Sequence, residues 1–297
     1  MSIREKYDAL YWVLRNMQES IKVNFRIMLN NRDWKDYLKQ NKKFKNIHKG
    51  ERCFVIGNGP SIKELDFSLL KDEYVFTVNQ IPRNKNYLEL CSNYHFWADD
   101  NFFNLDLSKP EDYEVLEVMR NVVTSNNKPI CFYPIKYIEF IKENELDKIT
   151  ETHYFLSEKS FHCLYDKSID YSKNTPGFGT VVQWCISMAI YMGFAQIYLL
   201  GCDSTSLINN IKAAADKIDD KNYGYQITEN ESKRYSKLMS NFTLSKSVDS
   251  FLKTLKDYKY LYEYCSKRNI ELINLTSTTA IDSLPRNTLE NILNGKK

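Results

Sequence analysis

Several features that mark other protein classes are missing from this chain of 297 residues. Its seven cysteines are odd in number and form no C-x-x-C pair, which argues against a disulfide framework and against a structural zinc site. No stretch approaches the ~18 apolar residues of a membrane span, and charges interrupt every apolar run near the N-terminus, so no signal peptide is predicted. No internal repeat or low-complexity block is present. These absences predict a cytoplasmic protein that is soluble, or at most peripheral at the inner face of the membrane.

The chain also has no large excess of positive or negative charge. The 41 Lys and Arg residues nearly balance the 38 Asp and Glu residues, giving a net charge of +3. This balance excludes a general nucleic-acid binder. The 43% hydrophobic and 14% aromatic content instead allows a large buried core.

The first informative stretch is a turn that follows the short apolar run 53–56. Because the run reads as a buried strand and the residues after the turn carry helical spacing, the turn should join a strand to a helix. Glycines let a backbone approach an anion, and free N–H groups at a helix start point toward it, so the turn predicts a phosphate site. An ordinary strand-to-helix turn of an α/β sheet is the alternative. The turn comprises Gly57, Asn58, Gly59, Pro60 and Ser61, the last as the predicted N-cap.

Polar residues follow the next two predicted strands, at 74–78 and 94–98. Open α/β sheets hold ligands at the carboxyl ends of their strands. Asn79 is therefore expected to contact a base or a ribose hydroxyl, or to cap its own turn. Of the adjacent carboxylates Asp99 and Asp100, only one should enter a site, because neighbouring residues of an extended chain face opposite ways. We favour Asp99.

A second glycine-containing loop precedes the apolar stretch 181–192, which reads as a buried helix ended by Gly193. Gly179 and Thr180 of this loop are predicted to bind a phosphate or a carboxylate at the helix start. The following strand, 195–200, is followed closely by Asp203, a further acidic group expected at the same edge of the sheet.

The two ends of this central region carry less information. Residues 1–49 are predicted to form a helical N-terminal extension, with an apolar stripe that packs on the main domain or on a sister subunit, or that touches an acidic membrane surface. Residues 50–297 should form one Rossmann-like, doubly wound, mostly parallel α/β domain. Within it, the polar segment 204–243 has no clear period and is predicted to be a lid.

Three of these stretches, in this order, resemble a known family: residues 54–66, 77–80 and 193–203. They look like the bacterial sialyltransferases of glycosyltransferase family 42, and like the related domain of Maf flagellin glycosyltransferases and archaeal 6-hydroxymethylpterin diphosphokinase-like proteins. The resemblance implies that Asn58, Gly59, Ser61, Asn79 and Thr180 hold CMP. Those sialyltransferases use a histidine beyond the third stretch as base, and this chain has no histidine after His162.

The resulting prediction is a glycosyltransferase of bacterial surface-glycan assembly (capsule, lipopolysaccharide or flagellin). A nucleotide sugar, with CMP-linked nonulosonic acids the first guess, would be the donor and a glycan the acceptor, with no cofactor or metal required. Asp99 and Asp203 are the residues expected to take part in catalysis. Asn79 and Asp99 would hold the nucleoside or the acceptor, and Asp203, or a carboxylate or tyrosine of the lid, would take the acceptor's proton. The alternatives are a diphosphokinase-like enzyme in which Asp99 and Asp203 hold Mg²⁺ against ATP, and a non-catalytic scaffold of a glycan assembly complex.

Overall fold

The computed structural model describes residues 3–30, 33–124, 127–162, 168–205, 224–239 and 243–295. Its strands are β1 (Arg52–Ile56), β2 (Tyr74–Val78), β3 (Tyr94–Phe96), β4 (Ile130–Pro134), β5 (Thr152–Lys159), β6 (Asn174–Pro176), β7 (Gln196–Leu200) and β8 (Glu271–Asn274). Its α-helices are α1 (Ile3–Asn30), α2 (Trp34–Gln40), α3 (Pro110–Arg120), α4 (Ile138–Glu143), α5 (Val181–Met192), α6 (Glu229–Met239), α7 (Leu244–Ser266) and α8 (Leu289–Leu293).

The described strands form one eight-stranded sheet in the order β6-β5-β4-β3-β2-β1-β7-β8, and all seven pairings are parallel. The predicted Rossmann-like α/β fold is therefore confirmed. Strand β6 has no signal in the sequence pattern, because it has three residues and ends in Pro176, a residue that sheets accept at their edges.

Both faces of the sheet are buried, which is why the strands read as continuous apolar runs rather than as alternating ones. In β1, Cys53 and Val55 pack in the core that includes α5 and α7, while Phe54 and Ile56 pack in a core on the other face. Helices α3 and α4 cover that second face farther along, under β4 and β5.

The strand order reverses next to β1. Strands β2 to β6 extend from one side of β1, whereas β7 and β8 extend from the other. In open α/β sheets the crevice at such a switch point, outside the carboxyl ends of the strands, is where ligands bind. The turn after β1 and the residues after β7 lie at this point.

The first 30 residues contain the predicted long helix, but its contacts differ from the prediction. Val23 and Ile27 of α1 are buried, and Glu19 accepts hydrogen bonds from the backbone N–H and the hydroxyl of Ser160 at 3.2 Å each. The predicted apolar stripe lies elsewhere on the helix and is exposed. The prediction that this stripe packs on the main domain is therefore wrong. Its members Tyr7, Leu10, Tyr11, Leu14, Met17, Ile21, Phe25 and Met28 are 48% to 72% exposed.

No helix within the described residues is both long enough and apolar enough to cross a lipid bilayer.

Candidate functional site

The turn after β1 is held against the end of β7. The Gly57 N–H donates to the Leu200 carbonyl and the Gly59 N–H to the Gly201 carbonyl, both at 2.8 Å. A Cβ atom on Gly57 would lie 2.5 Å from the Gly201 carbonyl oxygen, and one on Gly59 would lie 1.9 Å from Asp203 Oδ2. Both glycines are thus required by the close approach of the two loops.

The carboxylate of Asp203 binds the last residue of this turn, where a ligand anion was expected. Its carboxylate accepts hydrogen bonds from the Ser61 N–H at 3.1 Å and from the Ser61 hydroxyl at 2.7 Å. The side chain is buried, and burial raises its pKa above the usual value while the Ser61 hydrogen bonds oppose that rise. Asp203 therefore fixes the shape of the turn, and its predicted catalytic role stays a prediction.

The segment after the turn differs from the predicted helix. It forms a five-residue 3-10 helix, Pro60–Glu64, whose N-cap is Gly59 rather than the predicted Ser61. The chain becomes extended at Leu65, and Asp66 starts a second 3-10 turn by accepting from the Ser68 N–H. Such short turns expose few N–H groups, and one of them is already bound to Asp203.

The second loop is also bound by a carboxylate of the protein itself. The Gly179 N–H donates to Asp257 Oδ2 of α7 at 2.9 Å and to Gln183 Oε1 at 3.0 Å. A Cβ atom at Gly179 would lie 2.7 Å from the Thr254 hydroxyl oxygen, so the glycine lets α7 pack closely. Thr180 caps α5, and the first N–H groups of an α-helix have no partner within it.

The two glycine loops open into the same cavity of about 400 Å³. Gly57, Asn58 and Gly59 form one wall, and Gly179, Thr180, Val181 and Val182 form another. The structure therefore brings together two loops that lie some 120 residues apart in the chain (residues 59 and 179). Pro60, Ser61 and Asp203 are not among the described residues that line it.

Two asparagines at the strand ends face this cavity. Asn58 donates from its side-chain amide to the Val78 carbonyl at 3.2 Å, and its side-chain oxygen is buried without a hydrogen-bond partner among the described residues. Asn79 has a φ of +43°, a left-handed backbone conformation that asparagine tolerates better than most residues. Strained backbone of this kind is often found at functional sites.

The two carboxylates after β3 lie on different sides of the chain segment that joins them. Asp99 lines the cavity, and its Oδ1 accepts from the Asn101 N–H at 2.9 Å. Although part of its surface is open, the surrounding protein displaces water and raises the Asp99 pKa, an effect that the Asn101 N–H and the Arg234 charge partly offset. Asp100 is not among the described residues that line this cavity, and it pairs with Lys136 at 2.8 Å.

The region that builds this site coincides with a family match. The family described as 6-hydroxymethylpterin diphosphokinase MptE-like matches residues 26–208, which is more than half of the chain and contains both glycine loops. The chain belongs to this MptE-like family. That membership confirms the part of the sequence resemblance that named 6-hydroxymethylpterin diphosphokinase-like proteins.

None of the curated proteins compared with this MptE-like chain matches it. Among solved structures, it is similar to the sialyltransferase CstII from Campylobacter jejuni in complex with a substrate analogue, cytidine-5'-monophosphate. The identity is 18% and the TM-score 0.42, over 80% of this chain and 85% of that chain.

A second cavity of about 520 Å³ adjoins the first. Three segments contribute walls to both cavities: residues 98–100, 177–180 and 253–258. The second cavity combines aromatic and charged side chains, namely Phe155, Phe161, Phe178, Trp184, Asp100, Lys136, Glu158, Lys159, Lys253 and Asp257. Asp257 lies in the shared partition, where burial raises its pKa and Lys253, at 2.5 Å, opposes that rise.

The predicted lid is described only in part, since residues 206–223 and 240–242 lie outside the described residues. The remainder is not irregular: it contains α6. This helix is fixed by buried charges, because Glu231 accepts from the Gln80 side-chain amide at 2.6 Å and lies 2.7 Å from Arg83. Tyr225 and Tyr235, on either side of Glu231, line the first cavity.

Sequence reasoning missed the wall that α7 contributes. Its side chains at helical spacing, Ser247, Phe251, Thr254 and Tyr258, line the first cavity. The signal was present as a stripe of hydroxyl and aromatic residues, but a stripe of this kind also occurs where a helix simply packs on a core.

The histidines of the central region lie outside this cavity. His95 is fully buried within β3, bonded to the Thr77 hydroxyl at 2.8 Å, and burial lowers its pKa to about 3. His153 lies near the start of β5, away from the carboxyl ends of the strands, and pairs with Glu151 at 2.9 Å. The ring of His162 packs against Trp12 of α1, at 5.4 Å between ring centroids.

Proposed function

We propose that this MptE-like chain is a glycosyltransferase of bacterial surface-glycan assembly that takes its sugar from a nucleotide donor, with a CMP-linked nonulosonic acid as the first candidate. The observation that carries the proposal is the convergence of both glycine loops, Asn79 and Asp99 on one cavity at the switch point of the sheet. The sequence resemblance to family 42 enzymes, stated above on the residues of these same loops, supports the choice of CMP.

In this proposal the donor lies in the first cavity. Its phosphate would face the first turn of α5, where the N–H groups of Val181 and Val182 and the helix dipole favour an anion. The buried Asn58 side-chain oxygen lacks a donor among the described residues, and a ribose hydroxyl or a base amino group would supply it. Asn79, held in its left-handed conformation, would contact the nucleoside from the neighbouring strand.

The acceptor would enter from the second cavity. Faces of aromatic rings such as Trp184 bind the apolar faces of sugars, and the charged rim offers partners for hydroxyl groups. The acceptor hydroxyl would then reach the donor across the partition that the two cavities share. Catalysis would consist of orienting the two substrates, stabilising the departing phosphate and removing one proton.

Asp99 is the best placed described residue to take that proton. It is the only carboxylate among the described residues that line the first cavity, and its raised pKa makes it a stronger base than a solvated aspartate. The other aspartate predicted from the sequence, Asp203, has both carboxylate oxygens committed to Ser61. A tyrosine of the described part of the lid, Tyr225 or Tyr235, is the remaining choice.

The family name supports a second candidate, a diphosphokinase that transfers a diphosphate from ATP. Such chemistry uses Mg²⁺ bound by several oxygen ligands, commonly carboxylates. The described lining of the first cavity offers only the minimum for this, since Mg²⁺ is usually held by one or two carboxylates together with the substrate phosphates and Asp99 is the one carboxylate there. The described residues that line the first cavity also include no lysine or arginine. The single negative charge of a nucleotide sugar joined through one phosphodiester needs fewer positive groups to balance it than the charge of a triphosphate does.

The proposal is tested by calorimetry with CMP, CDP, UDP, GDP and ATP, each in excess EDTA and in Mg²⁺. We expect CMP to bind in EDTA. We also expect Asn79→Gly, which keeps the φ > 0 conformation but removes the amide, to weaken CMP binding by roughly tenfold, the loss of one hydrogen bond. Binding of ATP alone, and only with Mg²⁺, would favour the diphosphokinase. Absence of binding by every nucleotide would favour a non-catalytic scaffold.

A further inference from the structure

Helix α1 has two different faces. On one face Val23 and Ile27 are buried, Glu19 bonds to Ser160, and Trp12 contacts the ring of His162. These positions follow the 3-4 spacing of a single helical stripe, so this stripe attaches α1 to the rest of the chain. The apolar stripe described above lies on the opposite side, because its positions are rotated by about half a turn at 100° per residue.

The exposed stripe is unusually large. Tyr7, Leu10, Leu14, Met17 and Ile21 are 72%, 58%, 51%, 55% and 64% exposed. Single exposed apolar residues are normal, but a contiguous row along a 28-residue helix marks an interaction surface. Tyr11 and Phe25, at 60% and 58% exposure, widen the row on one flank.

The spacing within the row identifies the kind of partner. Tyr7, Leu10, Leu14, Met17 and Ile21 alternate in steps of three and four residues, and the next step reaches Asn24. This is the heptad pattern of a left-handed coiled coil, in which the same seam of another helix supplies the opposing side chains. A helix that only lies in a membrane interface needs an apolar face but no 3.5-residue period.

We propose that α1 is a dimerisation helix, and that its exposed seam packs against the same seam of a second copy of this chain. The proposal is independent of the reaction that the site catalyses. If the seven side chains named above each lose on the order of 100 Å² on contact, two copies bury about 1,400 Å², the size of a stable specific interface.

The charges of α1 favour a protein partner over a lipid one. The helix carries five basic and three acidic residues, so its net charge is small. Arg15 is already paired with Glu19 at 3.1 Å. Stable attachment to an anionic membrane draws on a cluster of uncompensated Lys and Arg, whereas a coiled-coil seam requires only its apolar row.

The test is the molar mass of the full-length protein by sedimentation equilibrium between 1 and 100 µM, roughly the range in which weak dimers dissociate. We expect the wild type to have twice the mass of one chain. Leu14→Ser/Ile21→Ser should raise the dimer dissociation constant by at least 100-fold, since it removes two seam contacts. The control, Lys22→Ser, changes an exposed residue about 100° around the helix from the middle of the seam and should leave the dissociation constant within about threefold.

Leu14 and Ile21 are both exposed, so the double serine variant should unfold at the same temperature as the wild type diluted until it is monomeric. This comparison separates loss of pairing from loss of folding. A wild type that is monomeric at 100 µM overturns the proposal. So does a dimer that survives Leu14→Ser/Ile21→Ser, because another face then forms it. Flotation of a monomeric wild type with vesicles of phosphatidylcholine and phosphatidylserine, lost in the serine variant, would assign the seam to lipid and also overturn it.

Discussion

At the scale of single residues, Asp99 carries the clearest conflict between stability and function. Its carboxylate sits where protein displaces water, so its pKa is raised above the ordinary 3.8. An acid with a raised pKa binds more protons in the folded than in the unfolded state, so it lowers the stability of the fold as pH rises through that interval. At neutral pH the raised pKa of Asp99 therefore lowers the stability of the fold, by an amount that the exposure of its side chain keeps small.

Asp99→Asn should therefore raise the thermal unfolding midpoint slightly at pH 7, because the amide oxygen keeps the hydrogen bond from the Asn101 N–H without the charge. The gain should disappear below about pH 4, where the wild-type carboxyl is protonated in both states. If Asp99 is the base, the same variant should lose 10²- to 10⁴-fold in kcat with nucleotide affinity retained. The control is Asp36→Asn, which removes an exposed ion pair with Lys39 away from both cavities and should change kcat little. A fully active Asp99→Asn enzyme would exclude the catalytic role.

Replacing Asp203 shows whether this residue acts as a base or as a positioning residue. If it served only as a base, its removal would spare nucleotide binding. Because its carboxylate holds Ser61 and thereby the Gly57–Ser61 turn, we expect Asp203→Ala to lower the free energy of unfolding by about 1 to 3 kcal/mol and to weaken nucleotide binding as well. Chemical denaturation and calorimetry measure the two effects. Loss of turnover with unchanged stability and affinity would contradict the positioning role.

The sequence was sufficient to find these positions but not their partners. Glycines followed by a serine after an apolar run predicted a tight turn correctly, because the local chemistry of turns is encoded locally. That Asp203 lies against Ser61, 142 positions away, is a tertiary contact that no local pattern contains. The prediction consequently assigned the free N–H groups of this turn to a ligand, whereas the protein's own carboxylate occupies one of them.

At the scale of elements, α6 shows why segment 204–243 appeared to have no period. Its inward positions are Glu231 and Arg234, which are 1% and 5% exposed, so the buried stripe is charged rather than apolar. Pattern analysis identifies helices by apolar stripes and fails when the buried face is ionic. The contacts of this face are specific: Arg234 lies 3.3 Å from Asp112 of α3 and stacks on Phe102.

Glu231→Ala should destabilise the fold by about 1 to 3 kcal/mol, because it leaves the Gln80 amide without its carboxylate partner and removes one of the two carboxylates that pair with the buried Arg83, the other being Glu114. Since Tyr225 and Tyr235 line the cavity beside it, nucleotide affinity should fall as well. Glu229→Ala, on the exposed side of the same helix, should change stability by less than about 0.5 kcal/mol. Urea denaturation of the two variants provides the comparison, and equal stabilities would show that the buried network contributes nothing.

At the scale of the whole molecule, the position of the cavity follows from the strand order. The sequence predicted the strands that border it and the fold class, because parallel strands buried on both faces have an unmistakable apolar pattern. It did not predict that α7, more than 60 positions after Thr180, forms the opposite wall. Helix packing is decided by the three-dimensional fit of side chains, and α7 has both an apolar and a hydroxyl-bearing face.

A nucleotide in this cavity would contact chain segments from residue 57 to residue 258. At a free concentration of 100 times its dissociation constant, it should raise the free energy of unfolding by about 2.7 kcal/mol. Hydrogen exchange should show increased protection both at the turn after β1 and in α7 near Thr254. Protection confined to one of these two segments would place the ligand outside the cavity.

The placement of β1 between β2 and β7 also affects how the chain folds during its synthesis. Residue 52 of β1 pairs with residue 196 of β7, so the middle strand lacks one neighbour until 144 further residues have been added (196 minus 52). At about 5 to 20 residues per second, that delay is on the order of 10 s. Throughout it, one hydrogen-bonding edge of a strand that is apolar from Cys53 to Ile56 is open to pairing with other nascent chains, so the yield of folded protein should depend on chaperones that shield such edges.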